Sequence, residues 1–283
     1  LEDLDTRSPA RLMTSAVGLH FGTLDDAYAL QRMVRDLRVS RGECVVGFKV
    51  GCTSPLIREK LGISNSVHGF LWRREQLPSG VVLNAADFRG LAVEGELGCR
   101  IVSTAGSPRD WIVEFEPVIE LHHGAFDGPA HRRAFELVAR NCIHAGVVRG
   151  SVGRHDDDDD DDPTAACSHT TNAKRHQHTR CCALGSIPLH APIVVEVDGK
   201  VIEREELDSL RLGGSRGPLA TISWLEQELR RIRGQGLRVG EYVLAATAGS
   251  LHPLSSGSKL KASFLGQTVT CQLADNHSHD SRL

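Results

Sequence analysis

A chain of 283 residues that is 40% hydrophobic, 24% charged and 5% aromatic has the make-up of a globular protein with one large core, or a core and a smaller appendage. Its net charge of −3 includes a run of seven aspartates, Asp156 to Asp162; without those seven charges the chain would stand at +4, too near neutrality for the clustered basic surface of a nucleic-acid binder. No apolar stretch has the length of a membrane span, and the start, LEDLDTRSPARLM, lacks the basic head and apolar core of a signal peptide.

Residues 24–40 carry Ala27, Leu30, Met33, Val34 and Leu37 at helical spacing, with Asp25 and Asp26 where they complement the helix dipole. ECVVGFKVGCTS (43–54) reads as a strand, and Ser54-Pro55 opens a helix through LIREKLGI. Residues 81–102 read as strand, loop and strand, and FEPVIELHH (115–123) as a further strand. FELVARNCIHAGVV (135–148) is expected to be an amphipathic helix running into another apolar segment. From 151 to 186 periodicity stops, and the acidic run with its clustered His, Thr and Arg reads as a disordered surface insertion. Asp198-Gly199 then marks a hairpin within PIVVEVDGKVIE (192–203). A helix over 218–236 and strands in YVLAAT and KLKASFLGQTVTCQL follow. The elements give an α+β fold: largely antiparallel strands with flanking helices, and no regular βαβ rhythm.

Eight cysteines, at 44, 52, 99, 142, 167, 181, 182 and 271, are mostly scattered singly, and a chain this long does not need disulfides. A reduced, cytoplasmic setting without nucleic-acid or membrane partners is expected. Cys167, His169, His176, His178, Cys181 and Cys182 include metal-binding residue types, but no C-x-x-C pair accompanies them and a zinc site is not expected there.

In VEGELG (93–98), Glu94 and Glu96 stand two apart in an apolar segment and so point to one face of a strand. A solvated face is one explanation. Leu91, Val93, Leu97, Ile101 and Val102 argue instead for partial burial, where adjacent carboxylates take up a proton or recruit a cation. A hard divalent ion prefers oxygen ligands, and Glu120, at the end of the apolar run PVIEL, is a candidate third carboxylate.

GFKVGCTSP (47–55), VHGFLW (67–72), AVEGEL (92–97), PVIEL (117–121), ARNCIHAG (139–146), GPLATISWLEQEL (217–229) and LRVGEYVLAATAGSLHPLSSG (237–257) occur in that order. Together they resemble the fumarylacetoacetate hydrolase superfamily, and within it the branch of 2-keto-4-pentenoate hydratases and 4-oxalocrotonate decarboxylases. The resemblance implies a rolled, mixed β-sheet core with flanking helices, a small N-terminal helical part over 1–80, a metal-bearing roll over 81–275, and a homo-oligomer. It implies Mg2+ or Mn2+ held by Glu94, Glu96 and Glu120, and a small 2-oxo or 2-hydroxydienoic acid as substrate. Lys49 matches the lysine of the family's Gly-aromatic-Lys-x-Gly motif and would bind the substrate carboxylate or move a proton, although a lysine between Phe48 and Val50 can also snorkel to the surface. Gly249, Ser250 and Pro253 match the loop that shapes the substrate end of the pocket, and Gly51, Leu71 and Asn141 fall on neighbouring motifs and are taken as substrate-binding. No strand-turn-helix elbow surrounds Ser250 and His252, which argues against a serine hydrolase.

The departures concern proton transfer. Relatives often continue with Asp-Ser-Arg after the third acid, where this chain has Leu121-His122-His123. Trp72-Arg73-Arg74 and Cys142-Ile143-His144 replace other expected segments. His122 and His144 are the catalytic candidates beside Lys49, with His123 a further substitute. The expected reaction is hydration of a 2-hydroxypenta-2,4-dienoate-like acid, as in breakdown of aromatic compounds. The alternatives are decarboxylation of the 4-oxalocrotonate type, hydrolysis of an acylpyruvate, or a binding protein that has lost catalysis.

Overall fold

The computed structural model describes residues 23–88, 90–123, 130–150, 179–212 and 214–274. It opens with helix α1 (Leu24–Ser40), started by a reciprocal cap in which Thr23 and Asp26 bond each other's backbone N–H. The helix buries Ala27, Tyr28 and Gln31, and the Gln31 amide donates to the carbonyls of His68 and Val138. Strand β1 (Val45–Gly51) leads into helix α2 (Pro55–Leu61), which has Pro55 in its first turn, ends at a left-handed Gly62 and buries none of its residues. Next come β2 (Val67–Trp72), the short β3 (Gln76–Pro78) and β4 (Val81–Leu83), and the long antiparallel pair β5 (Ala92–Ser103) and β6 (Ile112–His122).

Helix α3 (Ala130–Ala139) precedes β7 (His144–Arg149). The expected 135–148 helix therefore stops early: Asn141, Cys142 and Ile143 take left-handed φ of 57°, 54° and 56° and turn the chain into a strand. Strand β8 (Arg180–Ala183) and a 3-10 turn at Leu184–Ser186 show that regular structure resumes before the expected end of the insertion. The aspartate run, Cys167, His169, His176 and His178 lie outside the described residues. The hairpin β9 (Pro192–Val197) and β10 (Lys200–Glu206) turns at Asp198-Gly199, both with positive φ as a two-residue turn of this kind requires. A minimal pair, β11 (Arg211–Leu212) and β12 (Ser215–Arg216), leads into helix α4 (Gly217–Arg233), and β13 (Tyr242–Pro253), β14 (Lys259–Phe264) and β15 (Gln267–Leu273) complete the chain.

The main sheet runs β2-β1-β13-β5-β6-β7-β3, with β8 also on β6; β1/β13 and β3/β7 are parallel and the other pairs antiparallel. A second sheet runs β10-β9-β14-β15-β4. Strands from both sides of residue 80 share the main sheet, so the sheet is continuous across the boundary expected there. β6 serves two partners along one edge, β8 over Ile112–Phe115 and β7 over Val118–His122, and Pro117 falls in the gap where no ladder N–H is required of it.

Alternation along the strands sorts the side chains. Val93, Ile119 and Leu121 pack with Leu260, Val269 and Leu273 of the second sheet. The intervening Glu94, Glu120 and His122 point to the opposite face. A larger apolar cluster joins Phe48, Trp72, Leu97, Ile222 and Leu225, locking α4 to the main sheet. Full burial of each such side chain contributes on the order of 1.5–3 kcal/mol. Tyr242 reaches between two glycines: a Cβ on Gly98 would lie 1.8 Å from its hydroxyl oxygen, and one on Gly47 1.8 Å from its carbonyl oxygen. Its hydroxyl donates to Glu116, and Arg149 stacks on its ring while also bonding Glu116.

Candidate metal site

Glu94 and Glu120 are direct cross-strand partners on β5 and β6, so their side chains emerge side by side. His122 follows Glu120 by two residues and shares its face. Its Nε2 lies 3.2 Å from Glu94 and 3.3 Å from Glu120. Each of the three offers a ligand atom, and all of these lie within 4.8 Å of one another. Glu96 is buried on the same strand but is not in this group among the described residues. It sits opposite Val118, two residues along the ladder from the Glu94–Glu120 pair. His122 thus joins Glu94 and Glu120 in this group, with Glu96 buried beside them on the same face.

The surroundings strengthen the charge. The Lys49 ammonium lies 3.2 Å from Glu120, and both side chains are buried, so the snorkelling alternative does not hold. Burial alone would raise the Glu120 carboxyl, but Lys49 and His122 hold it well below the usual carboxylate range. Burial likewise works against the charged form of His122, and Glu120 outweighs it, moving the imidazole up to about 9. His144 bonds Glu120 through Nδ1 at 2.6 Å, with Glu75 3.8 Å from its Nε2. Glu75 is held in turn by Arg38, which also pairs with Glu43 and stacks on Trp72.

Two carboxylates and an imidazole suit a divalent ion that accepts both oxygen and nitrogen. Glu120 Oε2 and His122 Nε2 are buried and only 3.3 Å apart, yet neither makes a well-formed hydrogen bond, which is the disposition of atoms converging on a cation. The residues present fit Mn2+ or Mg2+.

Part of this group opens on a cleft of about 730 Å³. Lys49, Gly51, Glu94, His122, Gly249 and Ser250 line it. Leu71 does not: it lies on the same face of β2 as Val67 but further along the strand, fully buried with Val118, Tyr242 and Leu244. Asn141 does not line it either. Its amide is taken up by β2, accepting from the Phe70 N–H at 2.6 Å and donating to the Phe70 carbonyl at 2.8 Å. That clamp holds the left-handed turn and delivers Cys142 and Ile143 to the cleft wall. His144 stands behind Glu120 and is not among the lining residues, and His123, whose backbone N–H donates to the Ile143 carbonyl, is not either.

Glu203 of β10 had no signature in KVIEREE, where it reads as one more charge on a solvated strand. It accepts from the Ser250 N–H at 2.9 Å and meets His252 Nε2 at 3.0 Å. It lies so close over Gly249 (φ 94°) that a Cβ there would come 1.3 Å from its carboxylate oxygen. Burial, with Glu94 adding to it, raises the Glu203 carboxyl, and His252 and the Ser250 N–H oppose the rise.

No family model matches the sequence. The 2-keto-4-pentenoate hydratase of Burkholderia vietnamiensis is 26% identical over 232 residues, which is 80% of this chain and 76% of that protein. The 4-oxalocrotonate decarboxylase of Pseudomonas putida is 31% identical over 115 residues, 37% of this chain and 43% of its own. Among solved structures, 4-oxalocrotonate decarboxylase from Pseudomonas putida G7, complexed with magnesium and adipate, superposes with a TM-score of 0.72 at 18% identity, covering 96% of this chain and 93% of that one. Fumarylpyruvate hydrolase from Pseudomonas aeruginosa, in complex with Mn2+ and pyruvate, gives 0.50 at 14% identity over 81% of this chain and 88% of that one. The chain has the fumarylacetoacetate hydrolase type of fold. In sequence it is similar to 2-keto-4-pentenoate hydratases and 4-oxalocrotonate decarboxylases.

Proposed function

We propose that this protein is a divalent-metal-dependent lyase that hydrates 2-hydroxypenta-2,4-dienoate-like acids. The observation that carries the reading is the Glu94–Glu120–His122 group opening on the same cleft as the buried Lys49 ammonium. Glu94, Glu120 and His122 would hold the ion, and the imidazole in that set favours Mn2+ over Mg2+. Bound there, the metal supplies an electron sink for an enolate at the substrate's C2 oxygen.

The protein's own groups do the rest. Lys49, an ammonium beside Glu120, would bind the substrate's C1 carboxylate and orient the diene. His144, bonded to Glu120 from behind, fixes that carboxylate's orientation and acts as a positioning residue. Glu203 anchors the Ser250 N–H and so sets the edge of the pocket along which the substrate lies.

A second reading is decarboxylation of a 4-oxalocrotonate-type acid, favoured by the likeness to that decarboxylase over 96% of this chain. Hydrolysis of an acylpyruvate uses the same sink, and a protein that binds 2-oxo acids without turnover is the non-enzymatic alternative. Product analysis separates them: purified protein with Mn2+ and 2-hydroxypenta-2,4-dienoate should bleach the dienol without releasing carbon dioxide or pyruvate. Carbon dioxide from 2-oxohex-3-enedioate, pyruvate from an acylpyruvate, or binding with no product would each replace the hydratase reading with the corresponding alternative.

A further inference from the structure

Strand β10 is folded against the usual order of polarity. Val201 and Ile202 keep 58% and 39% of their surface exposed, while Glu203 is the one residue of the strand turned inward, with 11% of its side chain exposed. The β9 ladder shifts register between Val201 and Glu203, with Ile202 as the extra residue, and this bulge re-aims the Glu203 side chain. Sinking a carboxylate while two aliphatic neighbours stay in water costs free energy unless its oxygens are engaged.

They are engaged by β13. Its ladder with β5 pairs Ala248 with Gly95 and next His252 with Val93, so Gly249, Ser250 and Leu251 stand against the single residue Glu94. This second bulge, opposite a member of the candidate metal group, forms part of the cleft lining. Where the bulge leaves the ladder, Glu203 takes the ladder's place. Its Oε1 accepts from the Ser250 N–H at 2.9 Å, and its Oε2 meets Nε2 of His252, the first residue back in register, at 3.0 Å. Gly249 has φ 94°, and Oε1 occupies the space a side chain would need there. One carboxylate of the second sheet therefore spans the bulge from Ser250 to His252. We propose that Glu203 is a positioning residue for the ligand: it fixes the β13 bulge opposite Glu94, and through it the affinity for a 2-oxo acid, while the metal group, set by β5 and β6, stands without it; this rests on the reading of the cleft as a metal-dependent 2-oxo acid site.

Calorimetric titration with Mn2+, and then of the Mn2+-loaded protein with 2-oxobutanoate, tests it in Glu203→Ala, Glu203→Gln and His252→Ala. Glu203→Ala should leave Mn2+ affinity within about twofold and weaken 2-oxobutanoate about tenfold, the equivalent of one hydrogen bond to a charged acceptor. Glu203→Gln keeps an oxygen for the Ser250 N–H and an N–H for His252, and should bind the acid within about threefold of the unaltered protein. His252→Ala leaves Ser250 anchored and should fall between the two. Circular dichroism checks that each variant is folded. Unchanged 2-oxobutanoate affinity in Glu203→Ala overturns the positioning role, and so does Glu203→Gln binding as weakly as Glu203→Ala, which would make the charge the active element. A parallel loss of Mn2+ affinity overturns the independence of the metal group from the bulge. Absence of metal-dependent 2-oxobutanoate binding in the unaltered protein overturns the 2-oxo acid reading, and the role of Glu203 with it.

Discussion

Lys49 and Glu120 form a buried ion pair whose members cannot be removed singly without exposing the other's charge to a dry interior. Glu120→Gln deprives Lys49, His122 and His144 of their common partner, and Lys49→Met leaves Glu120 with the histidines alone. Each should lower stability by about 3–5 kcal/mol in chemical denaturation, and the double variant should recover part of the sum. Additive losses would mean that the pair is not coupled in solution. His68 is a different buried titratable group, packed among Tyr28, Phe48 and Phe70 with neither ring nitrogen hydrogen-bonded. Burial lowers it from the ordinary 6.5 to about 4. Between those values the unfolded chain binds the proton and the folded one does not, so the stability is present above pH 6.5 and is lost as pH falls towards 4. The loss is about 3 kcal/mol from about pH 7.5 to about pH 4, and His68→Phe should remove that part of the acid limb in urea titrations at a series of pH values. Residue type and spacing made Glu94, Glu120 and Lys49 legible in the sequence. They could not show that His122 gathers beside Glu94 and Glu120, because which groups converge on a point depends on strand register.

Among the elements, the turn at Asn141–Ile143 explains why a helix was expected through residue 148. Phe135, Leu137, Val138, Ile143, Val147 and Val148 keep an apolar rhythm across a boundary that contains no glycine or proline. Three consecutive left-handed residues, one of them β-branched, are costly, and Asn141's double bond to Phe70 holds the turn. Asn141→Ala should cost about 3 kcal/mol in urea unfolding, since it strands the backbone N–H and C=O of Phe70 and puts an alanine at positive φ. A loss under about 1 kcal/mol would show that the turn is held by the surrounding packing alone. The same substitution should perturb ligand binding through Ile143 and Cys142, which line the cleft next in sequence. Elsewhere local chemistry was enough: Thr23 with Asp26, Pro55 with Gly62, and Asp198-Gly199 mark element ends where they occur.

Across the whole molecule, the α+β class and the rolled sheet follow from the order of the motifs, while the pairing that closes the site does not. β1 lies parallel to β13, nearly 200 residues later, and that long-range pairing brings Lys49 to the Glu120 face. No local pattern encodes it, which is also why a boundary near residue 80 looked natural in the sequence and cuts through one sheet in the structure. Leu71 and Asn141 were assigned to the substrate for the same reason: adjacency to a motif in sequence does not fix how far along a strand the cleft reaches, or that the Asn141 amide is taken up by Phe70. The central claim is that one metal ion at Glu94, Glu120 and His122 is required for turnover of a small dienoic acid. Its most direct test follows dienol absorbance with chelator-stripped protein, adding Mn2+ or Mg2+ back in steps and repeating the titration with Glu120→Gln. The account predicts no turnover without metal, restoration at about one ion per chain with Mn2+ effective at lower concentration than Mg2+, and no restoration in the variant. Turnover that persists after stripping, or that returns with metal in Glu120→Gln, would contradict it.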